Sequence, residues 1–412
     1  MTVTSDPTCP HGTPNQAADR PRVSVVLATY NRCEYLAEAI DSLLNQSCPI
    51  DELIVVNDAS TDDTAQLLDA YGDRLRVIHR TRNQGKPAAL NLAIPQVDGD
   101  YVWLFDDDDI ALPDALVAHQ TFLAANPDID FTYSDKYRVP GDVDIFDRDA
   151  WQLAMMSQTP PEAFFMRTLL SMNTLMQGML IPVRCLAAVG PFDESLDRCE
   201  DHDMILRLAA RFRGAGLGRA TFVYREHAGT RGAGTKGHAA HERFRVLAQY
   251  RREVFRKAHA RFELTQYLTH VPEASVADTS AGLEPAALIQ RGCVMLRHGV
   301  VDLALKDFDA GFAHRRFDEV RQTWLSETLG TALDSDLSAV EDRTRLMREL
   351  HLTLRRHRQT AQVRHLARGL YWHLRRALAK RERPALTRAG ANTAAFAGGW
   401  LYANLYRNHA RP

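Results

Sequence analysis

Four consecutive aspartates, Asp106, Asp107, Asp108 and Asp109, follow the β-prone run Tyr101-Val102-Trp103-Leu104-Phe105. Burying even one unpaired carboxylate is costly. Four in succession are therefore expected at an exposed strand end, where something positive offsets their repulsion. A hard divalent cation fits, because it takes carboxylate oxygens and commonly shares its shell with phosphates. The alternative is a solvated turn in which Asp109 caps a helix beginning Ile110-Ala111-Leu112-Pro113. That accounts for one or two of the four acids.

Other polar clusters follow other apolar runs. Thr29-Tyr30-Asn31-Arg32 follows a β-branched run at 23–28, and Asn57-Asp58 follows another at 53–56. Asn83-Gln84-Gly85-Lys86 follows a third run at 75–79. Helical spacing separates the runs: Leu36, Ala39, Ile40 and Leu43, then Leu67 and Leu68, then Ala88, Ala89 and Leu92. Strand–helix alternation of this kind predicts an α/β fold with a doubly wound sheet, whose strand carboxyl ends hold ligands. No GxGxxG follows the first strand, and Gly85-Lys86 lacks the rest of a P-loop, so both nucleotide motifs are excluded.

Beyond residue 128 the pattern is less regular. Short strands are expected at 131–135, 178–182 and ending at 224–227, with a surface loop at 140–162. A helix is expected from Glu200, its first turn acidic as the helix dipole favours. From about 240 strand signals vanish, and helical periodicity returns over 241–268 and 283–325. Residues 337–382 read as Arg-rich helices.

The sequence has 412 residues, room for two or three domains. A net charge of −2 gives no global pull toward nucleic acid or anionic lipid, but it is unevenly spread. Residues 351–412 hold thirteen Lys/Arg and one acid, a balance of +12, which leaves −14 for the rest. The six cysteines form no CxxC pair, which suits reduced thiols in a cytoplasmic protein. Residues 1–20 are polar, without an apolar signal-peptide core, and are expected to be a disordered tail. No run reaches the ~20 apolar residues of a membrane span.

The ordered blocks VSVVLATYNR, ELIVVNDASTDDT, NQGKPAALNLAI, DYVWLFDDDD, GPFDESL and CEDHDMILRLA resemble family 2 glycosyltransferases of GT-A fold, over about 23–227. That resemblance implies a GT-A-type Rossmann-like mixed sheet flanked by helices. The catalytic domain would span 21–240, and an all-α C-terminal region 241–412, basic from about 350. It implies an inverting, metal-dependent transfer of a sugar from a nucleotide-sugar donor, here expected to be a UDP-sugar, to a hydroxyl acceptor. Cell-surface polysaccharide, glycolipid or glycoconjugate synthesis is the expected setting.

Asp106-Asp107-Asp108 resembles the family's DxD element. Asp108 would ligate Mn²⁺ or Mg²⁺ through the donor diphosphate, and Asp106 would face the ribose or sugar. Asp58 resembles the acid that accepts the base N–H, with Thr29, Tyr30, Asn31 and Asn83 about the nucleotide. Lys86 reads as a phosphate contact or a snorkelling side chain. Asp201 resembles the catalytic base, taking the acceptor proton. His227 matches a late histidine that some members supply to the metal or diphosphate.

The C-terminal stripe of Leu352, Leu366, Leu370, Trp372 and Leu374 among arginines reads as a basic amphipathic surface. Peripheral contact with the inner face of a membrane is expected, suiting a saccharide or lipid-linked acceptor. No nucleic-acid motif is present. Two other functions compete: a sugar-nucleotide-binding protein without catalysis, and a nucleotidyltransferase. The second is disfavoured because the loop after the first strand contains no glycine.

Overall fold

The computed structural model describes residues 20–141, 143–156, 159–226, 243–268 and 283–313, with 349–350, 352–353 and 356–357. The chain divides into two compact units, Met1–Val246 and Leu247–Pro412.

The first unit is built on β1 (Val23–Thr29), β2 (Glu52–Asn57), β3 (Arg76–His79) and β4 (Tyr101–Asp106), all mutually parallel in the order β3-β2-β1-β4. Helices α1 (Cys33–Leu44), α2 (Thr64–Asp69) and α3 (Lys86–Ala93) connect them. Both faces of β4 are buried. Val102 and Leu104 enter one core, and Trp103 and Phe105 the other. A strand covered on both sides reads as a continuous apolar run rather than an alternating one, which is why 101–105 is legible in the sequence.

β4 is also where the sheet changes character. Its far edge pairs antiparallel with β8 (Met179–Pro182), and β6 (Phe131–Pro140) follows. β9 (Gly214–Glu226) runs parallel to β6, and β5 (Ile110–Ala111) pairs antiparallel with β9. With β7 (Gln152–Ala154) on β6, nine strands form one mixed sheet among the described residues. The remaining α-helices of this unit among the described residues are α4 (Ala115–Ala125), α5 (Phe164–Leu170), α6 (Val183–Val189) and α7 (Glu200–Ala209). This is the mixed, helix-flanked α/β sheet that the sequence led one to expect.

Two local expectations fail. The span 140–162 is not a plain surface loop: it carries β7, and Ile145 packs with Ile110, Val139 and Val223 in a small core of its own. β9 extends to 13 residues, and two of its glycines, Gly214 and Gly216, are packing choices rather than turns. A Cβ on Gly214 would collide with the Phe131 ring, and one on Gly216 would crowd Tyr133.

The described residues of the second unit are helical: α8 (Arg243–Arg261, which begins just before it), α9 (Leu283–Arg297) and α10 (Val301–Ala313). Its core includes Phe255, Ile289, Leu296, Phe308 and Phe312. Asp307 is buried there, held by both arms of Arg291 at 2.9 and 2.7 Å and by His259 at 3.0 Å. Most of the Arg-rich stretch lies outside the described residues. No helix among the described residues is long and apolar enough to cross a membrane.

Candidate functional site

The four aspartates do not sit at an exposed strand end. Asp106 closes β4, Asp106 and Asp107 are half-buried, and Asp108 and Asp109 are buried. Asp109 does not cap a helix either, since α4 starts after Asp114. Instead the chain turns at once into β5, whose pairing of Ile110 with Val223 brings Asp109 beside the end of β9. There the Arg225 backbone N–H donates to one Asp109 oxygen at 3.0 Å. The side-chain amide of Gln177 donates to the other at 2.8 Å and to Asp106 at 2.5 Å. Asp109 thus braces the two parts of the sheet.

Burial of so much like charge is offset by donors and cations drawn from several elements. Lys86 forms an ion pair with Asp106, and Arg32 lies 4.0 Å from Asp108. The Arg225 side chain donates to the Asp108 carbonyl at 3.2 Å, forms an ion pair with Glu38, and lies over the Tyr35 ring at 4.6 Å. The compensation is incomplete. Burial, then the Asp108 charge, pushes the Asp107 carboxyl up, against the pull of the nearby Thr29 hydroxyl and of Arg32. Burial followed by Asp108 and Asp106 pushes Asp109 up as well.

A cation would relieve this. Asp106, Asp108 and Asp109 each offer an oxygen, and these lie within 4.8 Å of one another. All are hard oxygen donors, the set that suits Mg²⁺ or Mn²⁺. The residues present therefore fit a divalent cation.

The polar loops converge on this end of the sheet. Asp58, buried at the end of β2, accepts the backbone N–H of Gln84 and Gly85 and forms an ion pair with Arg80 at 2.9 Å. It anchors the 83–86 loop. Asn83 closes that loop by accepting the Gly85 N–H at 3.0 Å. Asn31 exchanges hydrogen bonds with Ser60 and Thr61, tying the loop after β1 to the loop after β2. Thr29 is buried beside Asp107, and Tyr30 is half-buried.

Lys86 connects these loops to α7. Burial would lower its ammonium, but Asp106, then Glu200 and Asp201, outweigh that and hold it protonated. Asp201 therefore lies within the same electrostatic neighbourhood as the β4 acids. Its neighbour Glu200 is pushed up to about 7 by burial and by Asp201, with Lys86 pulling the other way. The rest of α7 is rigidly seated: His202 bonds the Thr168 carbonyl at 2.9 Å, and Asp203 pairs with Arg207 at 2.9 Å.

Among the described residues, three non-glycine residues adopt left-handed backbone conformations: Asn31, Ala59 and Cys199, with φ of 52°, 62° and 63°. They sit after β1, after β2 and just before α7. Such strain tends to gather at functional sites.

Sequence reasoning missed Gln177, Arg225, Arg32 and Arg80 as supports. Only Arg32 carried a signal, as the cation that closes the block VSVVLATYNR. His227 lies outside the described residues.

Comparison with known proteins bears on residues 24–174, which match the family model "Glycosyl transferase family 2". An uncharacterized glycosyltransferase of Rickettsia felis is 32% identical over 199 residues, 46% of this chain and 32% of that protein. An uncharacterized glycosyltransferase of Methanocaldococcus jannaschii is 32% identical over 200 residues, 47% of this chain and 66% of that protein. A putative teichuronic acid biosynthesis glycosyltransferase of Bacillus subtilis, TuaG, is 36% identical over 107 residues, covering 25% of this chain and 42% of that protein. The chain thus spans between about a third and two thirds of the length of these relatives. Residues 24–174 thus carry a segment similar to glycosyl transferase family 2.

Proposed function

We propose that this protein is an inverting glycosyltransferase that moves a sugar from a nucleoside diphosphate donor, UDP being the expected nucleotide, to a hydroxyl of a saccharide or lipid-linked acceptor. The observation that carries the reading is the buried surplus of carboxylates at the end of β4, together with the field that Lys86 shares with Asp106, Glu200 and Asp201.

Asp108 and Asp106, with Asp109 behind them, would hold Mn²⁺ or Mg²⁺. When bound, that ion neutralises the charge developing on the diphosphate leaving group. Thr29, Tyr30 and Asn31 would line the nucleotide base with Asp58. Because Asp58 also anchors Gln84 and Gly85, base recognition and the setting of Lys86 are linked through one carboxylate. Lys86 presents a fixed positive charge toward the phosphates. Asp201, at the start of α7, accepts the proton of the attacking hydroxyl. His227 remains a proposed further ligand. The likeness to TuaG favours a cell-envelope polymer as the setting.

The test is a thermal-shift screen of nucleotide sugars with and without Mn²⁺, followed by acceptor-free donor hydrolysis. Wild type should be stabilised by one donor in a Mn²⁺-dependent way and should hydrolyse it slowly, and Asp108→Ala should do neither. Mn²⁺-independent stabilisation without hydrolysis would favour a non-catalytic binding protein. No stabilisation by any nucleotide sugar would refute the reading.

A further inference from the structure

We propose that Gln177 is a positioning residue for the acidic end of β4, whose amide sets the spacing of Asp106 and Asp109 and so the strength with which the run holds a divalent cation. The inference rests on the cation-assisted reading above and adds a residue that the reading does not require.

Gln177 is buried in a tight turn between α5 and β8. Its backbone carbonyl is pinned by the Trp103 indole N–H at 2.7 Å. The next residue, Gly178, lies flush on the sheet, where an added Cβ would stand 2.7 Å from the Ser134 hydroxyl and 2.9 Å from the Phe222 ring. The turn therefore cannot drift. From it the amide nitrogen reaches Asp106 at 2.5 Å and Asp109 at 2.8 Å. That nitrogen carries two hydrogens, one for each carboxylate. The reverse orientation would set an amide oxygen against two carboxylates, so the contacts fix which way the group points. Two acids separated by two residues, one closing β4 and one just before β5, are thereby held together by a single neutral donor. A neutral donor steadies them without cancelling their charge, which stays available to a cation. Hydrogen bonds of this kind orient metal-binding carboxylates, and their loss typically costs about 10–100-fold in metal affinity.

The test uses the whole chain without nucleotide, measuring Mn²⁺ binding from the EPR signal of the unbound ion, with melting in parallel. Gln177→Met keeps length and removes both donors, and Gln177→Glu replaces donors by acceptors. The Met variant should bind Mn²⁺ about tenfold or more weakly. The Glu variant should melt lower than wild type without the ion and gain more from Mn²⁺ than wild type does. Wild-type Mn²⁺ affinity in the Met variant, with a wild-type Mn²⁺ shift in the Glu variant, overturns the proposal. If the Met variant does not fold, the Mn²⁺ dependence of the Glu variant decides alone. If wild type itself binds no Mn²⁺, the cation reading fails first. If wild type binds and the variants match it, only the role of Gln177 fails.

Discussion

The protein buries carboxylates in two ways. In the helical unit Asp307 is matched: burial would push its carboxyl up, but His259 and Arg291 together outweigh that and hold it below the usual carboxylate range. At the end of β4 burial and mutual repulsion outweigh the surrounding donors and cations, and Asp107 and Asp109 are driven the other way. Matched charge locks helices together. Unmatched charge is a standing cost that a ligand can relieve, and proteins tolerate such cost mainly at functional sites.

Breaking the matched cluster should have the largest effect. Arg291→Met leaves Asp307 buried beside a single histidine and should cost about 3–5 kcal/mol in denaturant unfolding of the helical unit. A loss under about 1 kcal/mol would mean that Asp307 is no more locked than a surface pair.

The same operation at β4 should spare stability and remove activity. Asp108→Asn should cut donor turnover by about 10²–10³-fold while leaving the cation-free melting temperature equal or higher. A marked drop in melting temperature would instead class Asp108 with Asp307 as structural.

A pH series sharpens the contrast. The Glu200 carboxyl is raised to about 7 in the folded state. The folded chain therefore binds more protons than the unfolded one between the ordinary glutamate range and about 7, and stability falls as pH rises through that window. Glu200→Gln removes this penalty. Without metal it should melt higher than wild type at about pH 8, and the gap should close by about pH 4. A gap independent of pH would sever Glu200 from the charge surplus.

The smallest effect belongs to the backbone. Ala59→Gly relieves a left-handed residue worth roughly 1–2 kcal/mol but adds unfolded-chain freedom worth roughly 0.5–1 kcal/mol. A net gain of up to about 1 kcal/mol is expected, read by chemical denaturation. A loss would show that the strain at Ala59 is taken up elsewhere.

Strands β1 to β4 and their helices are legible because their signal is local: short β-branched runs buried on both faces, alternating with helical spacing. The acids at 58, 106, 108 and 201 stand out for the same reason, since each begins or ends such a run. Gln177 does not, because its meaning depends on partners 71 and 68 residues away. The fold of 140–162 is hidden by aspartates that mask Ile145 and Trp151. β9 is hidden by glycines that look like turn formers until the rings of Phe131 and Tyr133 are seen against them. The burial of the four aspartates is not legible in the sequence, because the amide, guanidinium and ammonium groups that offset it reach them from distant segments.

One feature of the acidic run concerns its length rather than its chemistry. Asp106 is the last residue of a strand in the parallel half of the sheet, and Asp109 immediately precedes a strand in the antiparallel half. The run is a splice of fixed count between two hydrogen-bonding registers. Strand side chains alternate faces residue by residue, so one inserted residue would turn Asp109 away from Gln177 and Arg225 or push Ile110 out of step with Val223. The splice can accept a different letter far more readily than a different number of letters.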